Sequence, residues 1–187
     1  GAGVQRTTKF VRYLPEHGFL PTVLTTESTY WMRDESLLAE IPAGTRVERA
    51  PHWFGQWTHR AAGGGTRSAA RLSWMRGVAR FFFVPDAYWG WILPAAGRAL
   101  TVLRETPHDL ILTTSSPDSS HLLGQWLKRR TGLPWVADFR DPWTERLSYA
   151  PPTRAHDALQ HRLERDCLLN ADLVLVTSDA TRDHYLA

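Results

Sequence analysis

Apolar and polar positions alternate along this 187-residue chain in two rhythms, one of period 3.6 and one of short β-branched runs. Val4, Phe10, Val11 and Leu14 share one helical face, and Gly18 is a natural stop, so a helix is expected from Val4 to His17. Pro21-Thr-Val-Leu-Thr-Thr26 reads as a strand. A short helix over Ser36 to Glu40 and a strand over Arg46 to Ala50 follow. The rhythm then breaks at the glycine-rich Ala61–Ser68 stretch and the aromatic run Phe81–Leu93. It returns with a helix from about Ala95 to Arg104 and a strand over Leu110–Thr114. Ser115–Ser120 is a loop rich in helix-capping residues. His121–Arg130 turns Leu122, Leu123, Trp126 and Leu127 to one side, and Lys128, Arg129 and Arg130 favour its negative end. Gly132 stops it, Leu133–Phe139 is the next strand, Ala155–Leu169 a helix, and Leu173–Thr177 a strand.

Strands alternating with helices predict an α/β fold, a Rossmann-like open parallel sheet with helices on both faces. The opening Gly1-Ala-Gly3 resembles the glycine turn that follows a strand and opens a helix. A first strand is therefore expected to be missing ahead of it. Ser178–Ala187 reads as a helix just begun, so we expect a single domain over 1–187, truncated at both ends. Residues 51–80 are expected to form a flexible basic insertion within it.

Composition narrows the class. Hydrophobic content of 43% with 22% charged residues is that of a soluble globular chain, and no apolar run is long enough to span a membrane. One cysteine, Cys167, excludes an internal disulfide and points to a reducing, cytoplasmic setting; on its helix face it reads as a small core residue. Net charge is only +3, but no Asp or Glu lies between Arg49 and Pro85, where six arginines fall. Arg60, Arg67, Arg71, Arg76 and Arg80, flanked by aromatics that include several of the nine Trp, have the composition of an anionic membrane contact on the inner face of a membrane. A loop folded back on the domain would have the same composition.

Candidate chemistry gathers at the strand ends, because parallel strands bring their C-terminal ends to one rim. There stand Gly1, Gly3, Gln5 and Arg6, then Ser115 and Ser116 with His121 in the following turn, then Asp138, Arg140 and Asp141 of "WVADFRDPW". Backbone N–H groups of a glycine turn or helix start suit a phosphate. Glu27 falls where a ribose-binding acid would sit in a dinucleotide site, though Arg6 occupies the place of that fingerprint's third glycine. No Gly-x-x-x-x-Gly-Lys loop and no cysteine pair exist. His156 and His161 are five apart, which does not put two ligands on one helix face, so no metal site is expected.

"GAGVQRTTKFVRYLPEHGFLPTVLTT", "DLILTTSSPDSSHLLGQWLKRRTGLPWVADFRDPW" and "LNADLVLVTSDA" together resemble the N-terminal, acceptor-side domain of family 4-type glycosyltransferases of the GT-B fold. The resemblance implies half of a two-domain enzyme. The parent would transfer a sugar from a nucleotide-sugar donor, its co-substrate, to an acceptor sugar or lipid-linked sugar of the cell envelope, with no required metal or other cofactor. A C-terminal nucleotide-sugar-binding domain would be its missing partner, without which this chain is inactive. Many relatives carry a histidine just after the strand that ends here at Phe139; this chain has Arg140 and then Asp141. On that reading Asp141 would engage or activate an acceptor hydroxyl and Arg140 a phosphate, with Gly1, Gly3, Gln5, Arg6, Ser115, Ser116, His121 and Asp138 as acceptor- or phosphate-binding residues and no nucleic acid as partner. Two other readings stay open. One is a dinucleotide-binding oxidoreductase fragment taking NAD. The other is a non-enzymatic basic module that binds membrane or nucleic acid, and Arg140–Asp141 could equally be a structural pair at a turn.

Overall fold

In the computed structural model, which describes residues 2–27, 39–53, 78 and 81–187, the chain order is α1 (Ala2–Tyr13), β1 (Thr22–Thr26), β2 (Arg46–Ala50), α2 (Ile92–Glu105), β3 (Ile111–Thr114), α3 (Ser119–Thr131), β4 (Trp135–Phe139), α4 (Arg154–Asn170), β5 (Leu173–Val176) and α5 (Asp179–Leu186). The expected glycine-rich stretch 61–68 lies outside the described residues, as does most of the expected helix at 36–40.

Local chemistry accounts for the element ends. The helix expected as far as His17 stops at Tyr13 and continues as one tighter turn, Leu14–His17. Pro15 explains this, because it has no N–H for the helical ladder. Gly18 and Gly132 then close their segments at φ of 82° and 76°, a left-handed geometry that favours glycine. Conversely α2 begins earlier than expected, at Ile92, and includes Pro94. A proline is tolerated there because first-turn N–H groups have no partner within the helix.

Among the described residues all strands are parallel. β1 pairs with β2, and β3, β4 and β5 pair in that order, with Thr114 opposite Asp138 and Phe139 opposite Val176. The α/β class with helices on both sides of parallel strands is as expected. Within the described residues, however, the strands form two hydrogen-bonded pieces rather than one sheet.

Two apolar clusters hold these pieces. Ala95, Ala96 and Ala99 of α2 and Leu123 and Leu127 of α3 pack with Ala50, Leu24 and Ile111. Trp135, Ala137, Phe139, Trp143 and Cys167 form the second cluster under α4 and α5. Cys167 is buried, as its helical position suggested, and burial pushes its thiol up to about 12. Gly124 sets how closely α3 approaches the sheet: a Cβ there would stand 2.4 Å from Trp135 Nε1 and 2.7 Å from Thr113 Cγ2. No side chain fits without moving that indole, which is itself fixed by a 2.8 Å bond to Thr113 Oγ1.

Candidate functional site

The stretch "WVADFRDPW" divides sharply between core and solvent. Trp135, Ala137, Asp138, Phe139 and Trp143 are buried, and Arg140 and Asp141 face outward between them. β4 has a strand on each side and helices over it, so successive residues are buried on both faces. Only where the strand leaves the sheet can a charged pair reach water.

Asp138 is committed to the fold. Its carboxylate accepts Arg6 Nε at 2.8 Å and Nη2 at 2.7 Å, and Thr114 Oγ1 at 2.8 Å. Bidentate guanidinium–carboxylate geometry is among the strongest side-chain pairings. It ties α1 to the rim and occupies the Arg6 guanidinium, which also lies 5.0 Å from the Phe10 ring centre. Gly1 lies outside the described residues, Gly3 falls within α1, and Gln5 is exposed one residue before Arg6.

The serine loop is also built in. Ser115 is buried; its N–H donates to Asp138 O at 3.0 Å and its hydroxyl accepts from Arg140 N at 3.3 Å. Ser116 remains exposed and accepts from Arg146 Nη1 at 3.0 Å. The α3 start carries a carboxylate already: Asp86 accepts Ser119 N at 2.9 Å and Ser119 Oγ at 2.6 Å. An anion site made of free amides at this helix start is therefore corrected, because Asp86 caps it from a distant segment.

His121 is corrected too. Expected at the rim, it is fully buried, stacked on Phe139 with ring centres 4.2 Å apart, its Nδ1 2.8 Å from Thr113 Oγ1. The first turn of α3 faces the sheet rather than solvent. Its Nε2 and Asp118 Oδ1, one turn apart, are buried polar atoms without a hydrogen-bond partner.

These two groups carry opposite pH dependences. Burial pulls the His121 imidazole down to about 3 from an ordinary 6.5. Its contribution to stability is complete above pH 6.5 and is lost as pH falls toward 3. Burial pushes the Asp118 carboxyl up to about 7 from 3.8, against the pull of Arg146. That contribution is complete below 3.8 and is lost as pH rises through 7. Between these limits the two slopes oppose and largely cancel. Asp118→Asn should expose the histidine slope, a loss of about 2 kcal/mol from pH 6.5 to 5 in urea unfolding. A variant whose stability stays flat across that interval would show that His121 is not held neutral in the fold.

Arg140 and Asp141 are what the rim leaves available. Arg140 Nε is 3.2 Å from Asp141 Oδ2, with side chains 26% and 53% exposed. A solvated pair of neighbours contributes at most about 1 kcal/mol, too little for this fold to need it. The backbone beneath is firmly held: Thr177 Oγ1 donates to Arg140 O at 2.8 Å.

Sequence reasoning missed the residues that hold this loop. Arg146 pairs with the buried Asp118 as well as Ser116. Glu164 of α4, only 5% exposed, accepts Trp143 N at 2.8 Å, Thr144 N at 3.2 Å, the Thr144 hydroxyl, and Tyr185 OH at 2.7 Å. Trp143 Nε1 donates to Gln160 Oε1 at 2.7 Å. A glutamate facing the apolar side of α4 beside Leu163 and Cys167 was the available signal, since a buried acid demands donors.

Among the described residues no group of three His, Cys, Asp or Glu side chains could hold a metal ion, and no helix is long and apolar enough to cross a membrane. An open hollow of about 300 Å³, lined by Leu100, Leu103, Arg104, His108 and Leu133, lies at the opposite ends of the strands from Arg140.

No curated protein and no solved structure matches the chain significantly. The glycosyl transferase 4-like domain family matches it over residues 1–187. With parallel strands, a polar C-terminal rim and a match along the whole sequence, the chain belongs to the family of glycosyl transferase 4-like domains.

Proposed function

We propose that this domain binds the acceptor in a nucleotide-sugar-dependent glycosyltransferase of cell-envelope glycolipid or polysaccharide synthesis, with a C-terminal nucleotide-binding domain completing the enzyme. The observation that carries this reading is the Arg140–Asp141 pair, exposed at the rim on a loop braced by Glu164, Ser115 and Thr177. A half-exposed carboxylate can accept a hydrogen bond from an acceptor hydroxyl and take its proton as the acceptor oxygen bonds to the sugar's anomeric carbon and the bond from that carbon to the departing nucleoside diphosphate breaks. The adjoining guanidinium can bind two oxygens of a phosphate or pyrophosphate. Arg146 and Ser116 border the same rim. The chain alone, without a donor-binding half, is expected to be inactive.

The test is turnover of a panel of nucleotide sugars by an enzyme carrying this domain with its C-terminal partner. Arg140→Ala and Asp141→Ala should each lower kcat/KM by roughly 100-fold or more with the melting temperature unchanged. Full activity in both would make the pair a surface turn. An absence of turnover with every nucleotide sugar would remove the reading altogether.

A membrane-bound acceptor is favoured by the described aromatics. Trp53, Phe82, Trp89 and Leu93 are exposed, and Trp53 N donates to Gly90 O at 3.4 Å, which brings it beside Trp89. Exposed apolar clusters of this kind mark contact surfaces. The arginines expected to join them, Arg60, Arg67, Arg71, Arg76 and Arg80, lie outside the described residues. The domain should co-sediment with phosphatidylglycerol vesicles, less so as salt rises, and not with neutral phosphatidylcholine vesicles. Equal binding to both, or to neither, would remove the anionic membrane from the proposal.

A further inference from the structure

Asp118 holds the position that caps α3 without capping it. A residue there ordinarily accepts a bond from the first helical amides, but here the Asp86 carboxylate accepts from Ser119 N. Asp118 is instead 1% exposed, with Oδ2 accepting Arg146 Nη2 and Oδ1 buried without a hydrogen-bond partner. A buried charge needs its oxygens satisfied, whereas a neutral carboxylic acid loses far less when one is not.

The groups around it come from every element that meets at this point. The loop after β4 brings the Arg146 guanidinium, and the segment ahead of α2 brings Asp86, itself held by Ser119 N, Ser119 Oγ and Tyr88 N. α4 contributes Glu164 and Cys167, α5 contributes Tyr185, and His121 lies one turn on in α3 itself. Burial opposes a charge on Asp118 first; Arg146 favours it, and the Asp86 and Glu164 carboxylates oppose it, which leaves the group at about 7. His121, pulled down by its burial to about 3, stays neutral through that range, as do the Cys167 thiol and the Tyr185 phenol, both pushed up by burial. Below about 7 Arg146 therefore faces a neutral acid, and above it a carboxylate.

Arg146 carries this difference to the rim. It spans from the buried Asp118 to the exposed Ser116, whose hydroxyl accepts Nη1 at 3.0 Å. The adjacent Ser115 hydroxyl accepts Arg140 N at 3.3 Å. The two serines thus set the Arg146 guanidinium beside the end of β4 that presents Arg140 and Asp141. Its side chain is 24% exposed, so it already reaches water while Nη2 is turned inward. A charged Asp118 cancels the guanidinium's field from within, and a neutral one leaves it to act outward.

We propose that Asp118 is a proton-operated keeper of Arg146. Ionised, it holds the guanidinium inward against α3; protonated from solvent, it releases the guanidinium to the rim, where Arg146 joins Arg140 as a second cation for the phosphate oxygens of the acceptor. The keeper needs only the fold, and its bearing on the acceptor rests on the reading of the rim given above. Coupling of this kind is reciprocal: an anion that draws Arg146 outward raises the affinity of Asp118 for its proton.

The test uses the chain as it stands and inorganic sulfate as the probe, because the charge of sulfate does not change between pH 5.5 and 8.5. Binding is followed by NMR at the Arg146 Nε–H and the amides of residues 140–149, at constant ionic strength. Sulfate should bind roughly 10-fold more tightly at pH 5.5 than at pH 8.5. Asp118→Asn should bind at both pH values as the parent does at 5.5, and Arg146→Gln at both as the parent does at 8.5. A pH dependence that survives in either variant, or sulfate binding that is equal or absent at the two pH values, would overturn the proposal. A second measurement needs no variant: the carboxyl carbon of Asp118 should titrate, and its midpoint should rise when sulfate is added. A midpoint that sulfate does not move would also overturn it. No donor and no transfer enter these measurements. A working keeper in a protein whose complete enzyme turns over no nucleotide sugar would discard the glycosyltransferase reading alone, and an active enzyme with pH-independent sulfate binding would discard the keeper alone.

Discussion

Replacing Glu164 by alanine should cost about 3–5 kcal/mol of stability, the range for removing one member of a buried charged network. The carboxylate is 5% exposed and gathers Trp143 N, Thr144 N, the Thr144 hydroxyl and Tyr185 OH. Taking it away strands several of these donors where water reaches them poorly, at about 1–3 kcal/mol for each that finds no substitute. The same network shapes the tyrosine: burial and the neighbouring carboxylate both push the Tyr185 phenol above its ordinary value, so it stays a donor at any physiological pH. Glu164→Gln keeps one acceptor oxygen and should cost less, about 1–3 kcal/mol. Tyr185→Phe removes a single donor and should cost about 1 kcal/mol. Urea unfolding followed by tryptophan fluorescence reads all three, since Trp143 is fully buried in this network. A Glu164→Ala variant within 0.5 kcal/mol of the parent would show that the loop after β4 does not depend on this carboxylate.

Breaking the Asp138–Arg6 pair should have the next largest effect, and the two halves should differ. Arg6→Ala leaves a fully buried carboxylate with Thr114 as its remaining side-chain donor among the described residues, and should cost about 3–5 kcal/mol. Asp138→Ala leaves a guanidinium that is 33% exposed and can turn toward water, so a loss of about 2–3 kcal/mol is expected. The double variant should cost less than the sum, with a coupling of about 2 kcal/mol. Because the pair joins residues 132 positions apart, α1 should also become the first site of proteolysis in either single variant. Strict additivity in the double-mutant cycle would mean that the pair carries no coupling and that α1 is held by its apolar contacts alone.

The contrast between Asp138 and Asp141 shows where local reading stops. Both flank Phe139-Arg140 in one short motif, and both invite a place at the rim. One is sealed by an arginine from the far end of the chain, and the other faces water. His121 shows the same limit. Its position in a first helical turn is legible, but which way that turn faces depends on Phe139 and Trp135 beneath it. Glu164 sits in a strongly charged helix, and its place on the apolar side beside Leu163 and Cys167 is legible, but which donors it gathers depends on the packing of the loop after β4.

What the sequence determined by itself were the α3–β4 and α4–β5 units, the caps at Gly18 and Gly132, the core role of Cys167 and the resemblance to family 4-type glycosyltransferases that the family match bears out. These rest on periodicity and backbone preference, which act over a few residues and leave their mark in local order. Only the tertiary structure decided which acids are buried, which serines are already bonded, that Asp86 caps α3, and that the parallel strands among the described residues stand in two pieces. Each of those depends on a partner tens of residues away, and desolvation assigns a carboxylate to structure or to solvent only once that partner is in place.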